Sequence, residues 1–479
     1  MPIYMTRKKG FRWSAGAAVA AGALAIVGLV PAASAQTVAG AGPGGAGSAS
    51  AVAAPRSSIC HWLPTPSSLW ITDPDNRVAL IWGRYNAPGQ GGVAYKVTGT
   101  FPYSTTMSFT SYNDLVDIVS PAYTLNDKNI IPDPGSVNPF VPGTRVEGKP
   151  RHYTAWFWPD SVPVPAGLKN VVLYPTKPYL PGSKSARWSL TMRQYKPQPG
   201  HPAFTQRPTI TAVSAANPSE PVRCPLTRAY TVAQQIHGFF DHKKVYGTLS
   251  AVPEPTTGNK VYFTAFPGAL GVGLDGYPAN TCAAYVTAQV PLNKISVVTE
   301  HKVAPYFNNN LVTPQTIMRD WPIRYQSVSV GTFTLNPILY RSLTITTDDA
   351  LYTSDGNWVT ILLPSEPRLT PEQIALVRAA ARALNYNVIQ LPPKNTGPLK
   401  SQIPNGWLVL RQKGISSSFP YSVTSVPCWS EHHSYKTYAD QTSPAFFAKY
   451  ASSPRNMGPY YIDGVKLDFP QFMAKFSTK

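Results

Sequence analysis

The chain has 479 residues, enough for two ordinary domains, and only 14% of them are charged against about 25% in a typical soluble protein. Its few charges, 50 prolines and 26 tyrosines are typical of an extracellular β-rich protein with long ordered loops. The formal net charge of +19 favours anionic partners, although a basic charge can also serve only to keep a protein soluble or near its own envelope. The Lys and Arg residues are scattered, which excludes a basic block of the nucleic-acid-binding type, and past the N-terminus no apolar run approaches the roughly 18 residues of a membrane span.

The N-terminal 35 residues predict a secretory signal peptide. A positively charged start precedes an uncharged, Ala-rich run at 15–30, and a small-x-small cleavage site follows at Ala33 and Ala35, so we expect the mature chain to begin at Gln36 with a charge near +15. Residues 36–57 are almost wholly Ala, Gly, Ser, Val and Pro and predict a flexible tether. We therefore expect a secreted or extracellular protein, which could also associate with the cell envelope.

The cysteines are few and far apart. None has the spacing of a metal ligand pair, so in an exported protein they predict two disulfide bonds, for which three connectivities exist. Because chain ends often lie near each other, the pairing favoured here is Cys60–Cys428 with Cys224–Cys282.

Strand patterns dominate the segment 58–200, which we predict to be a β-rich domain. Short aromatic and β-branched runs such as "VAYKVTGTF", "TTMSFTSY", "RHYTAWFW" and "RWSLTMRQY" are bounded by Gly, Pro and Asn-Asp clusters. The Pro-rich segment 201–225 predicts a linker between domains.

The segment 226–479 predicts a second β-rich domain with helices near 229–243 and 371–384. The second helix is the clearer one, because Thr370 is placed as its N-cap, Pro371 as its first residue and Gln373 as the partner in a capping box. Two short helices are expected after Ser443 and Asp468, with Pro444 and Pro470 at their starts. The fold class predicted is mainly β with a few helices, as two β-sandwich-like or open-barrel units of antiparallel strands.

The sequence "NIIPDPGSVNPFVPGTR" at 129–145 is the first candidate site. The oxygen-bearing side chains of Asp127, Asp133, Ser136 and Asn138 could bind a hard cation such as Ca²⁺, although the spacing is not that of an EF-hand. The structural alternative is an ordered corner between strands, in which Asp133 and Asn138 bond to nearby backbone and Gly135 supplies a positive φ. The corner is the reading favoured here, so no metal or cofactor is predicted beyond a Ca²⁺ candidate.

A second candidate lies in "HGFFDHKK". His237 and Asp241 are four residues apart on the predicted helix and so share a face, which would suit half a metal site or a general base and its orienting acid. A solvated polar face explains the same pattern. Aromatic side chains of the first half could stack on sugars if exposed and form core if buried, and a buried role is favoured: Trp62, Trp70, Trp82, Tyr153, Trp156, Trp158 and Tyr179.

Several stretches resemble a family of secreted bacterial proteins, common in actinobacteria and known only as hypothetical proteins. A strand ending in Gly-x-Phe-Pro (99–102) is followed by a Ser-Phe strand (108–113) and by the turn "PDPGSVNPF" (132–140). Further similar stretches are "RQYKP" (193–197), "YPANTCAAYVTA" (277–288), "RYQS" (324–327), "GWLVLRQ" (406–412) and "SPAFFAK" (443–449). Relatives tend to show Arg-Tyr-Trp-Ser where this chain has "RYQS". The resemblance implies no activity.

The predicted function is that of a secreted, basic, disulfide-bonded protein, without catalysis, that binds an anionic envelope polymer or a glycan. The alternative is a secreted hydrolase acting on an extracellular polysaccharide or ester. The sequence contains no nucleophile elbow, zinc-protease, Walker or dinucleotide motif, so no catalytic residue is predicted.

Overall fold

A computed structural model describes residues 56–58, 60–65, 76–84, 92–113, 124–177, 187–198, 200–201, 207–228, 258–265, 283–303, 322–334, 339–391, 406–416, 418–426 and 444–477. The predicted signal peptide, the helix at 229–243 with His237 and Asp241, and Cys282 and Cys428 lie outside these residues, as do Trp70 and Tyr179. The predicted tether lies outside them too, except that Arg56 and Ser57 already belong to a strand.

Two sheets form the first sandwich. Their strands are β2 (Leu63–Thr65), β3 (Asn76–Arg84), β4 (Val93–Thr100), β5 (Ser104–Asn113), β6 (Thr124–Asn126), β7 (His152–Pro159), β8 (Val171–Tyr174), β9 (Arg187–Pro197) and β10 (Thr209–Ser214). Sheet I has the order β2-β3-β9-β5-β6 and is antiparallel throughout. Sheet II has the order β10-β4-β7-β8, with β7 and β8 parallel.

Two further sheets form the second sandwich. Their strands are β12 (Lys260–Tyr262), β13 (Thr264–Ala265), β14 (Ala283–Val290), β15 (Ile295–Glu300), β16 (Tyr325–Thr334), β17 (Leu339–Thr346), β18 (Trp358–Leu363), β19 (Asn387–Gln390), β20 (Gly406–Lys413) and β21 (Ile462–Leu467). Sheet III has the order β13-β14-β20-β16-β17, and sheet IV the order β12-β21-β15-β18-β19. The prediction of a mainly β fold with sandwich-like antiparallel units is confirmed, and the described strands close no barrel.

The core of the first sandwich is aromatic. Alternate residues of sheet I, such as Phe109 and Trp188, meet Tyr95 and Phe157 from sheet II, and all four are at most 2% exposed. Tyr95 and Trp188 have ring centroids 5.8 Å apart. Burial of such large rings supplies much of the stabilisation of a sandwich. The aromatic candidates Trp62, Tyr153, Trp156 and Trp158 are at most 9% exposed, as their core reading requires.

The second sandwich buries aliphatic side chains between sheets III and IV, among them Val298, Val330 and Leu410. The outer face of sheet IV is covered by helices, because Val377 and Phe472 pack on Val297 and Ile361. The described helices are α1 (Pro371–Ala383), α2 (Pro444–Tyr450), α3 (Pro454–Met457) and α4 (Phe469–Phe476). No helix in this described part of the chain is long and apolar enough to cross a membrane.

Helix α1 begins as the sequence predicts. The Thr370 hydroxyl accepts from the Gln373 backbone N–H at 3.2 Å, and the Gln373 side chain accepts from the Thr370 N–H at 3.0 Å. This capping box satisfies two backbone donors that have no partner within the helix. The short helices expected after Ser443 and Asp468 are also present: α2 begins at Pro444, and α4 begins at Phe469 with Pro470 as its second residue.

The linker prediction at 201–225 is wrong for its middle. Residues 209–214 form β10, which pairs with β4 along its whole length at the edge of sheet II. The prolines lie on either side of "TITAVS" and leave its backbone N–H groups free to pair, so they bound the strand and do not prevent it.

The predicted disulfide pairing is also wrong. Cys60 is bonded to Cys224, although 164 residues separate them. Next to this bond, the small strand β1 (Arg56–Ser58) pairs with β11 (Leu226–Arg228), and the Trp62 indole N–H donates to the Pro208 carbonyl at 2.9 Å. The segments that begin and end the first sandwich are therefore joined to each other. The predicted Cys60–Cys428 bond would instead have joined the start of this sandwich to the C-terminal region.

Candidate functional site between the two sandwiches

In sheet I, the described side chains of the neighbouring strands β5 and β9 are buried on both faces. One face turns Met107, Phe109 and Leu190 into the aromatic core. The residues between them point to the opposite side, because successive strand residues alternate. That second face is polar, yet its side chains are at most 6% exposed: Ser104, Thr106, Ser108, Thr110, Ser189, Thr191 and Arg193.

Sheet III covers this polar face of sheet I. Its outward face carries Trp407 and Val409 but is otherwise largely polar, and these polar residues are at most 3% exposed: Thr287, Ser327, Ser329, Arg411 and Lys413. Lys413 Nζ donates a hydrogen bond to Ser108 Oγ at 3.2 Å, and the ring centroids of Tyr195 and Tyr325 are 5.1 Å apart. We call the facing surfaces of sheets I and III the polar layer.

Arg193 projects into the polar layer from β9, the central strand of sheet I. Its Nη1 donates to the phenol oxygen of Tyr112 at 2.5 Å and to Thr191 Oγ1 at 3.3 Å. Burial lowers the pKa of Arg193, but the phenol oxygens of Tyr112, Tyr195 and Tyr285 raise it by more, so the guanidinium stays charged. Because Tyr285 belongs to β14, the charge of Arg193 acts across the layer on sheet III.

Aromatic rings hold the other cations of the layer. Lys413 Nζ lies 4.0 Å from the centroid of the Tyr195 ring, and Arg411 Cζ lies 5.1 Å from that of Tyr285. Such cation–π contacts are worth more when they are desolvated, as they are here. Arg193 and Arg411 come from the similar stretches "RWSLTMRQ" and "GWLVLRQ", which form the central strands of the two facing sheets.

A buried ion pair joins the two sandwiches at one edge of the layer. Arg324, just before β16, donates through Nη2 to Oδ1 of Asp127, and the two residues are 8% and 1% exposed. The other carboxylate oxygen of Asp127 accepts from the Met107 backbone N–H at 2.8 Å. Gly414 makes room for this arrangement, since a Cβ there would lie 2.9 Å from the Cβ of Arg324.

A second ion-pair cluster lies where β9 ends. Lys196 Nζ is 2.7 Å from Asp348 Oδ2 and 3.1 Å from Asp349 Oδ2, and it donates to Thr346 Oγ1 at 2.8 Å. Burial lowers the pKa of Lys196, but the two carboxylates raise it by more. Lys196 ends the central strand of sheet I, whereas its partners follow the edge strand of sheet III, so this cluster also fixes the two sandwiches to each other.

The loop 129–145 forms a corner around Asn138. The Asn138 amide donates to the carbonyl oxygens of Asp127 and Ile130, both at 2.7 Å, and its carbonyl accepts from the Phe140 N–H at 2.8 Å. Asn138 is only 3% exposed, so these bonds satisfy backbone groups that water does not reach. The expectation that Asn138 binds local backbone is confirmed.

Asp133 has a different role from the one expected. Its carboxylate accepts from the Thr154 hydroxyl at 3.2 Å and makes no side-chain bond to the loop backbone; only its main-chain carbonyl accepts, from the Ser136 N–H at 2.9 Å. The expected positive φ of Gly135 is present, at +79°. The carboxylates of Asp127 and Asp133 thus turn to different partners, and no cluster of three or more His, Cys, Asp or Glu side chains suited to a metal ion occurs among the described residues.

Glu300 is a buried carboxyl for which the sequence alone indicates no specific role. It is 1% exposed inside the second sandwich, where both its carboxyl oxygens accept from the Gln326 amide, at 2.7 and 2.9 Å. Gln326 accepts in turn from Gln412 at 2.7 Å, and Gln412 accepts from the Val423 N–H at 2.9 Å. Burial raises the pKa of Glu300 to about 8, although the bonds from Gln326 lower it.

A period-two reading of "ISVVTE" contained the signal for this burial. Ser296, Val298 and Glu300 alternate on one face of β15 and Ile295 and Val297 lie on the other, and apolar residues in both rows indicate a strand that is buried on both faces. The neighbouring His301 lies elsewhere, with its Nε2 3.1 Å from Asp463 Oδ1. Glu300 and His301, although adjacent in sequence, therefore do not act together.

No family model matches the chain, and no curated protein matches it. Among solved structures, an uncharacterised protein from Burkholderia cenocepacia is 12% identical with a TM-score of 0.39, and the match covers 72% of this chain and 75% of that one. The VPA0106 protein from Vibrio parahaemolyticus is 11% identical with a TM-score of 0.34, over 73% of this chain and 86% of that one. At these scores the likeness carries no argument about function.

Proposed function

We propose that the protein is a non-catalytic extracellular binding protein that recognises an anionic polymer or glycan of the cell envelope. The overall charge supports this, because 42 Lys and Arg residues stand against 23 Asp and Glu residues. A field of that sign attracts polyanions and concentrates them near the surface.

The observation that carries the proposal is the collection of cations in the polar layer. A guanidinium or ammonium group loses several kcal/mol of hydration on burial, so buried cations are uncommon without a strong reason. Arg324 and Lys196 find carboxylates, whereas Arg193 is held by a phenol and a hydroxyl. Such a group retains the capacity to bind an anion.

Export is part of the same proposal. The support is the basic, Ala-rich N-terminus with its small-x-small site and the Cys60–Cys224 bond, since disulfides persist in oxidising compartments. Mass spectrometry of protein recovered from the culture medium should find Gln36 at the N-terminus. Recovery of the full-length chain in the cytoplasm alone would contradict export.

The binding proposal is tested by retention on immobilised polymers. The protein should be retained by a uronic or teichoic polymer at low salt and released as the salt concentration rises, because charge attraction is screened within about 8 Å at physiological ionic strength. A neutral glucan on the same support is the control and should not retain it. Equal retention on both supports, or retention on the anionic polymer that ignores salt, would overturn the proposal.

One residue favours the hydrolase alternative. A general acid must be protonated near neutral pH, and Glu300 is the described carboxyl whose pKa is raised into that range. It is also 1% exposed and bonded to Gln326, which suits a structural role better. The same polymers, assayed for released product, decide the matter: product release by the wild type that Glu300→Gln abolishes would support the hydrolase.

A further inference from the structure

The polar layer contains buried hydroxyl groups that have no hydrogen-bond partner. They are Oγ1 of Thr106 and Thr110 and Oγ of Ser189 on sheet I, and Oγ1 of Thr264 and Thr287 on sheet III. Each of these residues is at most 1% exposed. Buried polar groups are nearly always hydrogen-bonded, so several unpartnered hydroxyls on two facing sheets mark a place where hydrogen bonds are available to a bound group.

The strand register places two of these hydroxyls, those of Thr110 and Ser189, on the same face of sheet I as Arg193. Thr110 is directly opposite Thr191, the hydroxyl to which Arg193 donates, and Ser189 lies one pleat repeat further along β9 on the same face. Thr287 belongs to the facing sheet III, which contacts sheet I beside Arg193: Lys413 of sheet III donates to Ser108, the residue directly opposite Arg193 on β5.

The charge of this group decides the kind of ligand. Among the described residues no carboxylate lies within ion-pair distance of Arg193, which is 6% exposed and remains charged. A planar guanidinium pairs well with the two oxygens of a carboxylate or a phosphate. Hydroxyl donors beside it complete the coordination of such an oxyanion, whereas a neutral sugar would leave the charge unmet.

We propose that Arg193, with the hydroxyls of Thr110, Ser189 and Thr287, forms an internal receptor for one oxyanion group, either the carboxylate of a uronic acid or a phosphate ester. This rests on the proposed function, and it identifies the part of the anionic polymer that the protein recognises. Because the groups come from both sheets I and III, a bound oxyanion stabilises the contact between the two sandwiches.

Two isosteric variants test the receptor. Thr287→Val and Ser189→Ala each remove an unpartnered hydroxyl and almost no volume, so without ligand both should melt at or above the wild-type temperature. Glucuronate and glycerol 3-phosphate, at constant ionic strength, should raise the melting temperature of the wild type. In each variant, the affinity for the more effective of the two probes should fall about ten- to a hundredfold, because a hydrogen bond to a charged group is lost.

The matched control is Ser296→Ala. Ser296 is 0% exposed and its hydroxyl also lacks a partner, but it lies inside the second sandwich, so its variant should keep the full response to the probe. No response of the wild type, an equal response to glucose, or the same loss in the control would overturn the receptor. If that happens while salt-sensitive retention on the anionic polymer persists, the proposed function stands and only the internal receptor fails.

Discussion

Sheet I separates two buried layers of opposite character. On one side Phe109, Leu190 and Met192 pack against the rings of sheet II. On the other side Thr110, Thr191 and their polar neighbours face sheet III, and they are buried to the same degree. Side chains of successive residues along β5 and β9 therefore alternate between the aromatic layer and the polar layer.

The two layers show that the degree of burial does not by itself indicate whether a layer stabilises the protein. Apolar burial stabilises a protein at about 25 cal/mol per Å², so the aromatic layer needs no function to account for it. A polar layer with buried cations and unpartnered hydroxyls is costly by comparison, and hydrophobic side chains would make a more stable interface there. The second layer is accordingly where a function is to be sought.

The largest effect is expected from breaking the ion pair at the edge of the polar layer. Arg324→Ala leaves the Asp127 carboxylate, 1% exposed, without its counter-charge and should lower the free energy of unfolding by about 3–5 kcal/mol. Chemical denaturation measures this. Lys294→Ala is the control, because its 3.5 Å pair with Asp468 is exposed and should cost less than about 1 kcal/mol. Similar losses in both variants would show that the buried pair has no special weight.

A direct comparison of the two layers uses neighbours on β9. Leu190→Ala opens a cavity in the aromatic layer and should cost about 2–5 kcal/mol. Ser189→Ala removes an unpartnered hydroxyl from the polar layer and should be neutral or slightly stabilising in the absence of ligand. Thermal melts of both variants suffice. A large loss for Ser189→Ala would mean that its hydroxyl is satisfied in solution, and the contrast between the layers would weaken.

The pH dependence of stability tests Glu300, the carboxyl whose pKa is strongly shifted among the described residues. The pKa of Glu300 is about 8 in the folded protein and near the ordinary 4.5 in the unfolded chain, so folding takes up a proton. Its contribution to stability is fully present below about pH 4.5 and is lost as the pH rises towards about 8. Glu300→Gln, which can still accept from Gln326, should flatten the curve in that window. The free energy of unfolding of wild type and Glu300→Gln is measured by urea unfolding between about pH 4.5 and pH 8. The same pH dependence in both proteins would contradict the raised pKa of Glu300.

The smallest effect is expected in the corner loop, which serves as a surface reference for the two buried layers. Gly135 has φ of +79° and open space where a Cβ would lie, so Gly135→Ala should cost about 1–2 kcal/mol from backbone conformation alone. Ser136→Ala, one residue later, should change the stability by less than about 0.5 kcal/mol. No loss for Gly135→Ala in thermal melts would show that the loop relaxes to another conformation.

Local patterns predicted much of the fold. Strand alternation in "TTMSFTSY" and "RWSLTMRQY", the capping box at Thr370 and the corner around Asn138 depend on residues close together in sequence, and each is present. The linker at 201–225 and the disulfide pairing failed for the opposite reason, since both depend on which distant segment a strand or cysteine meets. Membership in the hypothetical-protein family and the role of His237 and Asp241 stay predictions.

By itself the sequence determined that the chain is basic and β-rich and which residues of each strand share a face, because composition and side-chain alternation are properties of the chain. Only the tertiary structure decided that the polar face of sheet I is buried, although such a face usually meets water. It also brought Arg324 to Asp127 and Glu300 to Gln326. These contacts depend on the packing of whole sheets, and no local pattern encodes which sheet a polar face will meet.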